Sequence, residues 1–459
     1  MEKCTTRVTK RDATAHASLA ALGVKLQEID LLAPVRTLVQ ITQKVIDYTP
    51  FEKLSDCFIG ILAGAKGIHD INRVLREDPA LQAAFGRRAC AEQSTIQDTL
   101  DACTVQTVPQ MEAATTQIFR QHSRAYRHPF AQEPLLLDVD ISGNPCGRKA
   151  ACATKGYFAG QKNRRGRQLG RVLATPYAEI VVDRLFPGNT QLTGALQPLL
   201  RAAEETLGLT AEQRARTIVR MDSGGGSVDD VNWVLERGYM VVCKDYSAKR
   251  AAKLAQSVVR WYPDPKEAGR EVGVITAPAT PYAREVERIA VRYRKQNGQW
   301  GTEALICSVP TEELWRRVGR PQGAVNEEHA RLLATTYFYD ERGGACETSF
   351  KGDKQGLGMT KKNKKRFEAQ QMVTQLLALA HNVLVWAKGW LMPAAPLAKY
   401  GIARLVRDVW GILGRVEQDA HGRVRRIVLN ERSRLAQHCL TAFQQLVTST
   451  GVVVVLGKP

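Results

Sequence analysis

The spacing of apolar positions changes along the chain, and each change marks a region. Up to about residue 130 the period is helical: Leu38, Ile41 and Val45 repeat at i, i+3, i+7, and Phe58, Ile59, Ile61 and Leu62 begin another apolar face. This predicts an all-helical N-terminal domain over 1–130. Within it Asp78-Pro79 opens a short helix through Leu81 to Phe85, Gly86 turns the chain, and Ser94 caps a second helix from Thr95 to Cys103. That spacing suits a helix-turn-helix and suits two packed helices equally well.

His128-Pro129 and Glu133-Pro134 break the helical pattern, and alternation replaces it. LLLDVDIS (135–142) reads as a first strand, followed by a basic glycine-bearing stretch and β-like runs at 168–175 and 177–186. A helical segment at 190–206, a strand RTIVRMD (216–222), a helix at 227–237 and a strand GYMVVCKD (238–245) complete the first part of an α/β core. Antiparallel hairpins followed by a βαβ unit predict a mixed sheet flanked by helices. Over 246–335 short runs (SVVRWY, EVGVIT, RIAVRYR, EALICSV) lie between Pro and Gly and predict a β-rich insertion. Helix returns from Glu347, most clearly over Lys365–Leu391, where Val373, Leu377, Ala380 and Leu384 define a buried stripe, so 336–395 reads as the core's second part. Residues 396–459 form a C-terminal region, mainly helical in expectation, that closes on Gly451-Val-Val-Val-Val-Leu as a buried strand.

Composition narrows the class. With 459 residues, 44% of them hydrophobic, the chain can bury a real core, which excludes disorder and disulfide mini-scaffolds. The formal charge of +19 favours a polyanionic partner, nucleic acid before an anionic membrane surface. Ten cysteines are scattered with no CxxC pair and no His at zinc spacing, and read as reduced thiols. MEKCTTRVTKRDATAH lacks a secretory apolar core and the run Val373 to Ala387 is short for a membrane span, so a cytoplasmic protein is expected.

Three segments could carry chemistry. In LLLDVDIS the period of two puts Leu137, Val139 and Ile141 on one face and Asp138, Asp140 and Ser142 on the other, with the two carboxylates about 6.8 Å apart. Aspartate beside a core needs a partner or a cation. RTIVRMDSGGGSVDD places Asp222 at the carboxyl end of a strand before a helix, where α/β sheets put their sites, and its glycines lack the GK[ST] of a phosphate loop. In YDERGGACETSFKGDK (339–354), a helix from about Cys346 sets Glu347, Phe350, Lys351 and Lys354 on one face. Each segment alone also reads as an ordinary solvated face or turn.

Together the segments match a family. The order Asp140-x-Ser, Asp222-Ser-Gly, Tyr339-x-x-Arg342, Glu347-x6-Lys354 resembles the DDE transposases of bacterial insertion sequences, in the group with a Tyr-Arg-Glu-Lys signature and a β-rich insertion. Asp140 and Asp222 are 82 residues apart, Asp222 and Glu347 125. The family's usual three residues between Arg and Glu are here four, Gly343 to Cys346. Asp138 is the alternative first carboxylate and Glu341 the alternative third.

The resemblance implies an RNase H-like core in which Asp140, Asp222 and Glu347 are catalytic and hold two Mg²⁺ or Mn²⁺ ions, which suit carboxylate oxygens. It implies metal-dependent cleavage and strand transfer on double-stranded DNA, terminal inverted repeats and target alike, by a bacterial, nucleoid-associated homodimer whose pairing could use 396–459. Tyr339, Arg342, Lys351 and Lys354 would grip phosphates near the cut. Arg164, Arg165 and Arg167 in KNRRGRQLGR, and the run KKNKKR (361–366), could track a DNA backbone. Trp300 reads first as a packing residue. A non-catalytic sequence-specific DNA-binding protein and a nuclease of the same fold are the alternatives.

Overall fold

Local signals set the ends of several elements. Thr49 and Glu52 form a reciprocal capping box that starts the helix Pro50–Leu62. Asp78 accepts the Leu81 N–H at 2.8 Å and caps Pro79–Ala84, and Gly86 turns out of it at φ +68°. The next helix, Gln93–Asp101, begins earlier than its sequence suggests. Asn72 accepts the Gln93 N–H at 3.0 Å, so the helix needs no cap from Ser94, which lies inside its first turn.

The computed structural model describes residues 12–44, 47–158, 161–278, 281–391, 397 and 399–458. Val45, Cys4 and most of the N-terminal segment read above lie outside them. The helix expected across Leu38 and Ile41 is also absent. The helix Ala33–Leu38 ends where Val39 turns extended, and 39–44 are irregular.

The chain forms two compact units, one of Met1–Ser123, Pro145–Ala153 and Ser349–Pro459, the other of Arg124–Asn144 and Thr154–Thr348. Along the chain the strands are β1 (Ala13–Thr14), β2 (Leu135–Pro145), β3 (Thr154–Phe158), β4 (Gln161–Ala174), β5 (Glu179–Pro187), β6 (Thr217–Met221) and β7 (Met240–Lys244). They continue as β8 (Tyr262–Pro263), β9 (Arg270–Val274), β10 (Glu287–Arg294), β11 (Trp300–Cys307), β12 (Gly414–Gln418), β13 (Val424–Asn430) and β14 (Val453–Gly457).

The Arg124–Thr348 unit is built on one mixed sheet in the order β3-β4-β2-β6-β7-β11-β10-β9-β8, with β5 paired to β4. Strands β2, β6 and β7 run parallel, and the helix Val228–Glu236 crosses between β6 and β7. The strands of 246–335 prolong this sheet, because β11 pairs with β7. On one face Leu136, Ile218, Ile289, Val291 and Leu305 pack against Leu332 and Phe338 of the helix Glu327–Asp340. On the other, Ala290 and Ala304 meet Ala251. Alternation along β10 thus buries both faces, as a central strand requires.

Among its described residues the other unit contains six α-helices before Arg124, the long buried helix Phe367–Trp390 and a sheet ordered β1-β12-β13-β14. This sheet overturns the mainly helical expectation for 396–459. Only Val416 is apolar in β12, and the adjacent Arg425 and Arg426 interrupt the apolar alternation that would have announced β13. β14 is an edge strand with Val454 buried and Val453 exposed, so the closing valine run is not buried throughout. Among the described residues no helix is long and apolar enough to cross a membrane.

Candidate active site

The site begins where the parallel pairing of β2 with β6 ends. β2 and β6 pair with Asp138 opposite Arg220. Arg220 is buried, donates from Nε and Nη2 to the two Asp138 oxygens at 2.7 and 2.9 Å, and stacks 4.9 Å from the Phe338 ring centroid. Thr175 donates to the same carboxylate at 2.5 Å. Asp138 is therefore neutralised inside the core, and this bidentate pair keeps it out of solvent chemistry.

Asp140 lies two residues further on, beyond the last β6 partner, Met221. Its side chain is 10% exposed and accepts the Ile141 N–H at 2.8 Å. Asp222 follows Met221 directly and caps the turn Ser223–Gly225 through the Gly224 N–H at 2.8 Å. The glycines after it serve packing. A Cβ on Gly226 would stand 1.7 Å from the Lys244 carbonyl oxygen, and one on Gly225 2.6 Å from the Met221 sulfur. No phosphate cradle is needed to explain them.

The third carboxylate arrives from the far end of the unit's chain. The helix Glu327–Asp340 runs into a single turn, Glu341–Gly344, and a new helix, Cys346–Gly356, carries Glu347 in its first turn. Arg342, on the turn between, reaches all three acids: Nη2 lies 3.5 Å from Asp140 and 3.7 Å from Asp222, and Nη1 donates to Glu347 at 3.1 Å. Exposure is graded, with the Arg342 side chain at 7%, Asp222 at 41% and Glu347 at 62%. Burial pushes the Asp140 carboxyl up to about 6; Arg342 opposes this, and Asp222 and Glu347 add to it. Burial works against the Arg342 charge, yet Asp140, Tyr339 and Asp222 raise its pKa. Burial likewise raises the Tyr339 phenol and the Cys346 thiol.

The family model for the transposase DDE domain, group 1, matches residues 28–448. The chain belongs to the DDE transposase family. It is accordingly an enzyme that cleaves DNA, from a family that uses divalent metal ions. Its structure is similar to piggyBac transposase in a synaptic complex with hairpin DNA, at TM-score 0.41 and 12% identity, over 88% of this chain and 82% of that one. The comparison with curated proteins gives no match.

The three acids that Arg342 gathers offer carboxylate oxygens and no sulfur or imidazole, a chemistry that would suit hard divalent cations. Among the described residues, however, no three acids, cysteines or histidines are set to hold a metal ion. The group the three carboxylates share is the Arg342 guanidinium, whose buried Nε has no hydrogen-bond partner.

The remaining expected residues are distributed unevenly. Glu341 turns away from the three acids and lies 4.0 Å from Arg220. Tyr339 is buried, with Lys244 Nζ 5.2 Å from its ring centroid, and it lines a cavity of about 210 Å³ together with Arg270, Tyr293, Glu303 and Asp340. Neither Lys244 nor Arg220 was singled out in the sequence, although Arg220 lies on β6, two residues before Asp222. Lys351 is exposed, and Lys354 Nζ is 5.9 Å from the Phe350 ring centroid on the same helix. Arg164 is exposed and bonds Gln161, and Arg165 is half-buried. Arg167 is fully buried in β4, an interior strand, and so does not present its guanidinium to a DNA backbone. In KKNKKR, Lys362 and Lys364 are also buried: Lys362 donates to the carbonyls of Ala65, Lys66 and Leu357, and Lys364 to Gln97. Trp300 lies between Arg292 and Arg294, 4.5 and 4.2 Å from their guanidinium carbons.

Proposed function

We propose that this enzyme is the transposase of a bacterial insertion sequence, which binds terminal inverted repeats and performs cleavage and strand transfer with Asp140, Asp222 and Glu347. The observation that carries the reading is that three acids from segments 82 and 125 residues apart meet around one guanidinium, two of them just past the last paired residues of the parallel strands β2 and β6. An RNase H-like core over 131–245 and 336–395 is consistent with the β2-β6-β7 arrangement. In this scheme 246–335 is the insertion, 1–130 recognises the ends, and 396–459 pairs two copies.

Asp140, the most buried of the three, would hold Mg²⁺ or Mn²⁺ together with Asp222 and Glu347. Such ions supply an activated attacking oxygen and stabilise the leaving oxygen of a phosphodiester. The chain's own part is placement. Burial keeps Asp140 in one orientation, the Gly224 N–H fixes Asp222, and the helix start at Cys346 fixes Glu347. Tyr339, Arg342, Lys351 and Lys354 would supply the phosphate contacts, together with Arg164 and Arg165.

The test is cleavage of labelled DNA bearing the element's terminal repeats, in Mg²⁺, Mn²⁺ or EDTA, by wild type and Glu347→Gln. We expect nicking at the repeat boundary that requires metal and falls by at least about 10³-fold in the variant while binding persists. Wild type that binds these ends and cuts with neither metal would leave the non-catalytic DNA-binding reading. Cleavage with no joined product would leave the nuclease.

A further inference from the structure

We infer that Arg342 is an internal counter-ion that holds the three carboxylates in the free protein and must withdraw from them before divalent cations load. Metal affinity is then held down until an external phosphate gives the guanidinium somewhere else to go. This rests on the reading of Asp140, Asp222 and Glu347 as metal ligands.

The geometry of the contact supports exchange rather than permanent pairing. One guanidinium faces three acids, so it neutralises only part of their charge. It makes one hydrogen bond, to Glu347 at 3.1 Å, while the 3.5 and 3.7 Å approaches to Asp140 and Asp222 are charge contacts at the edge of bonding range. The Asp138–Arg220 pair in the same unit shows what a committed pair looks like: two hydrogen bonds at 2.7 and 2.9 Å. The Arg342 Nε, buried and without a partner, leaves a planar donor fork incompletely used. A phosphate oxygen pair would fill that fork.

A way out is present as well. Arg342 sits on a single turn and is followed by Gly343 and Gly344, and a Cβ on either would meet nothing within 4 Å. Asp222 and Glu347 are the exposed members of the trio, so the cluster opens on their side. A cation entering among the acids would repel the guanidinium at the same short range at which the acids attract it. Metal and Arg342 are therefore competitors for one set of oxygens.

The experiment measures Mn²⁺ binding to the full chain without DNA, by electron paramagnetic resonance of the free ion, for wild type, Arg342→Gln and Arg342→Lys. We expect Arg342→Gln to bind Mn²⁺ at least about tenfold more tightly than wild type, with the lysine variant between them. Adding the terminal-repeat duplex should tighten binding in wild type more than in Arg342→Gln. Equal affinity in wild type and Arg342→Gln, or weaker binding in the variant, overturns the competition and leaves the metal-ligand reading standing. Absence of Mn²⁺ binding in every protein, with and without DNA, overturns both.

A measurement on the unaltered fold guards against a glutamine variant that fails to fold. The Nε–Hε resonance of Arg342, assigned by its loss in Arg342→Lys, should shift along the Mg²⁺ binding curve. A resonance that stays in place while Mg²⁺ binds overturns the proposal.

Discussion

Asp138 and Asp140 share a strand face, yet their surroundings give them different chemistry. Arg220 and Thr175 consume the hydrogen-bonding capacity of Asp138, whereas Asp140 meets only the loosely held Arg342 and one backbone N–H. Removing one partner of a buried pair strands the other charge, so Arg220→Met should cost about 3–5 kcal/mol in urea unfolding. The double variant Arg220→Met/Asp138→Leu should recover much of that loss. Lys362 gives a pH signature in the other unit. Burial lowers its ammonium to about 8 from the usual 10.5, so between those values the unfolded chain binds more protons than the folded one. Stability from this group is present above the unfolded pKa and is lost as pH falls through about 8. Denaturant midpoints for wild type should therefore rise from pH 8 to pH 10, and Lys362→Met should flatten that rise.

At the scale of elements, the loop after β6 is the least forgiving. A methyl at position 226 collides with the Lys244 carbonyl, part of the backbone that ends β7. Gly226→Ala should displace Asp222, lowering cleavage by at least about 10²-fold with far-UV circular dichroism unchanged. The same loop shows what a single sequence discloses. The DVD strand and the strand-helix-strand around Asp222 were legible because their periods of 2 and 3.6 are undisturbed on either side. β12 was hidden by its single apolar residue and β13 by the adjacent pair Arg425-Arg426, which breaks its period, and the helix start at Gln93 by a cap supplied from Asn72, remote in sequence. The candidate acids were legible as residue types in order. The place of Arg342 among them, and the burial of Arg167, Lys362 and Lys364, were not, because they depend on which neighbours the fold brings up. A charge run looks solvated until the fold supplies carbonyls to receive it.

For the whole molecule, the charge of +19 bears on association rather than on architecture. Affinity for a terminal-repeat duplex should fall by roughly 10³-fold between 50 and 200 mM salt, as release of counterions from several phosphates requires. Fluorescence anisotropy across a salt series measures it, and a flat response would show that surface lysines and arginines are not the principal contacts. Folding of so long a chain also has to choose among near-equivalent pairings. β2 carries two identical acids two positions apart, and sliding it two residues along β6 would set Asp140 against Arg220 with every side chain still on its own face. That mispairing would quench Asp140 and leave Asp138 beside Ile218, an uncompensated charge in an apolar wall. Arg220 thus acts as a register mark on the sheet: the pairing that compensates Asp138 is also the one that leaves Asp140 open for chemistry.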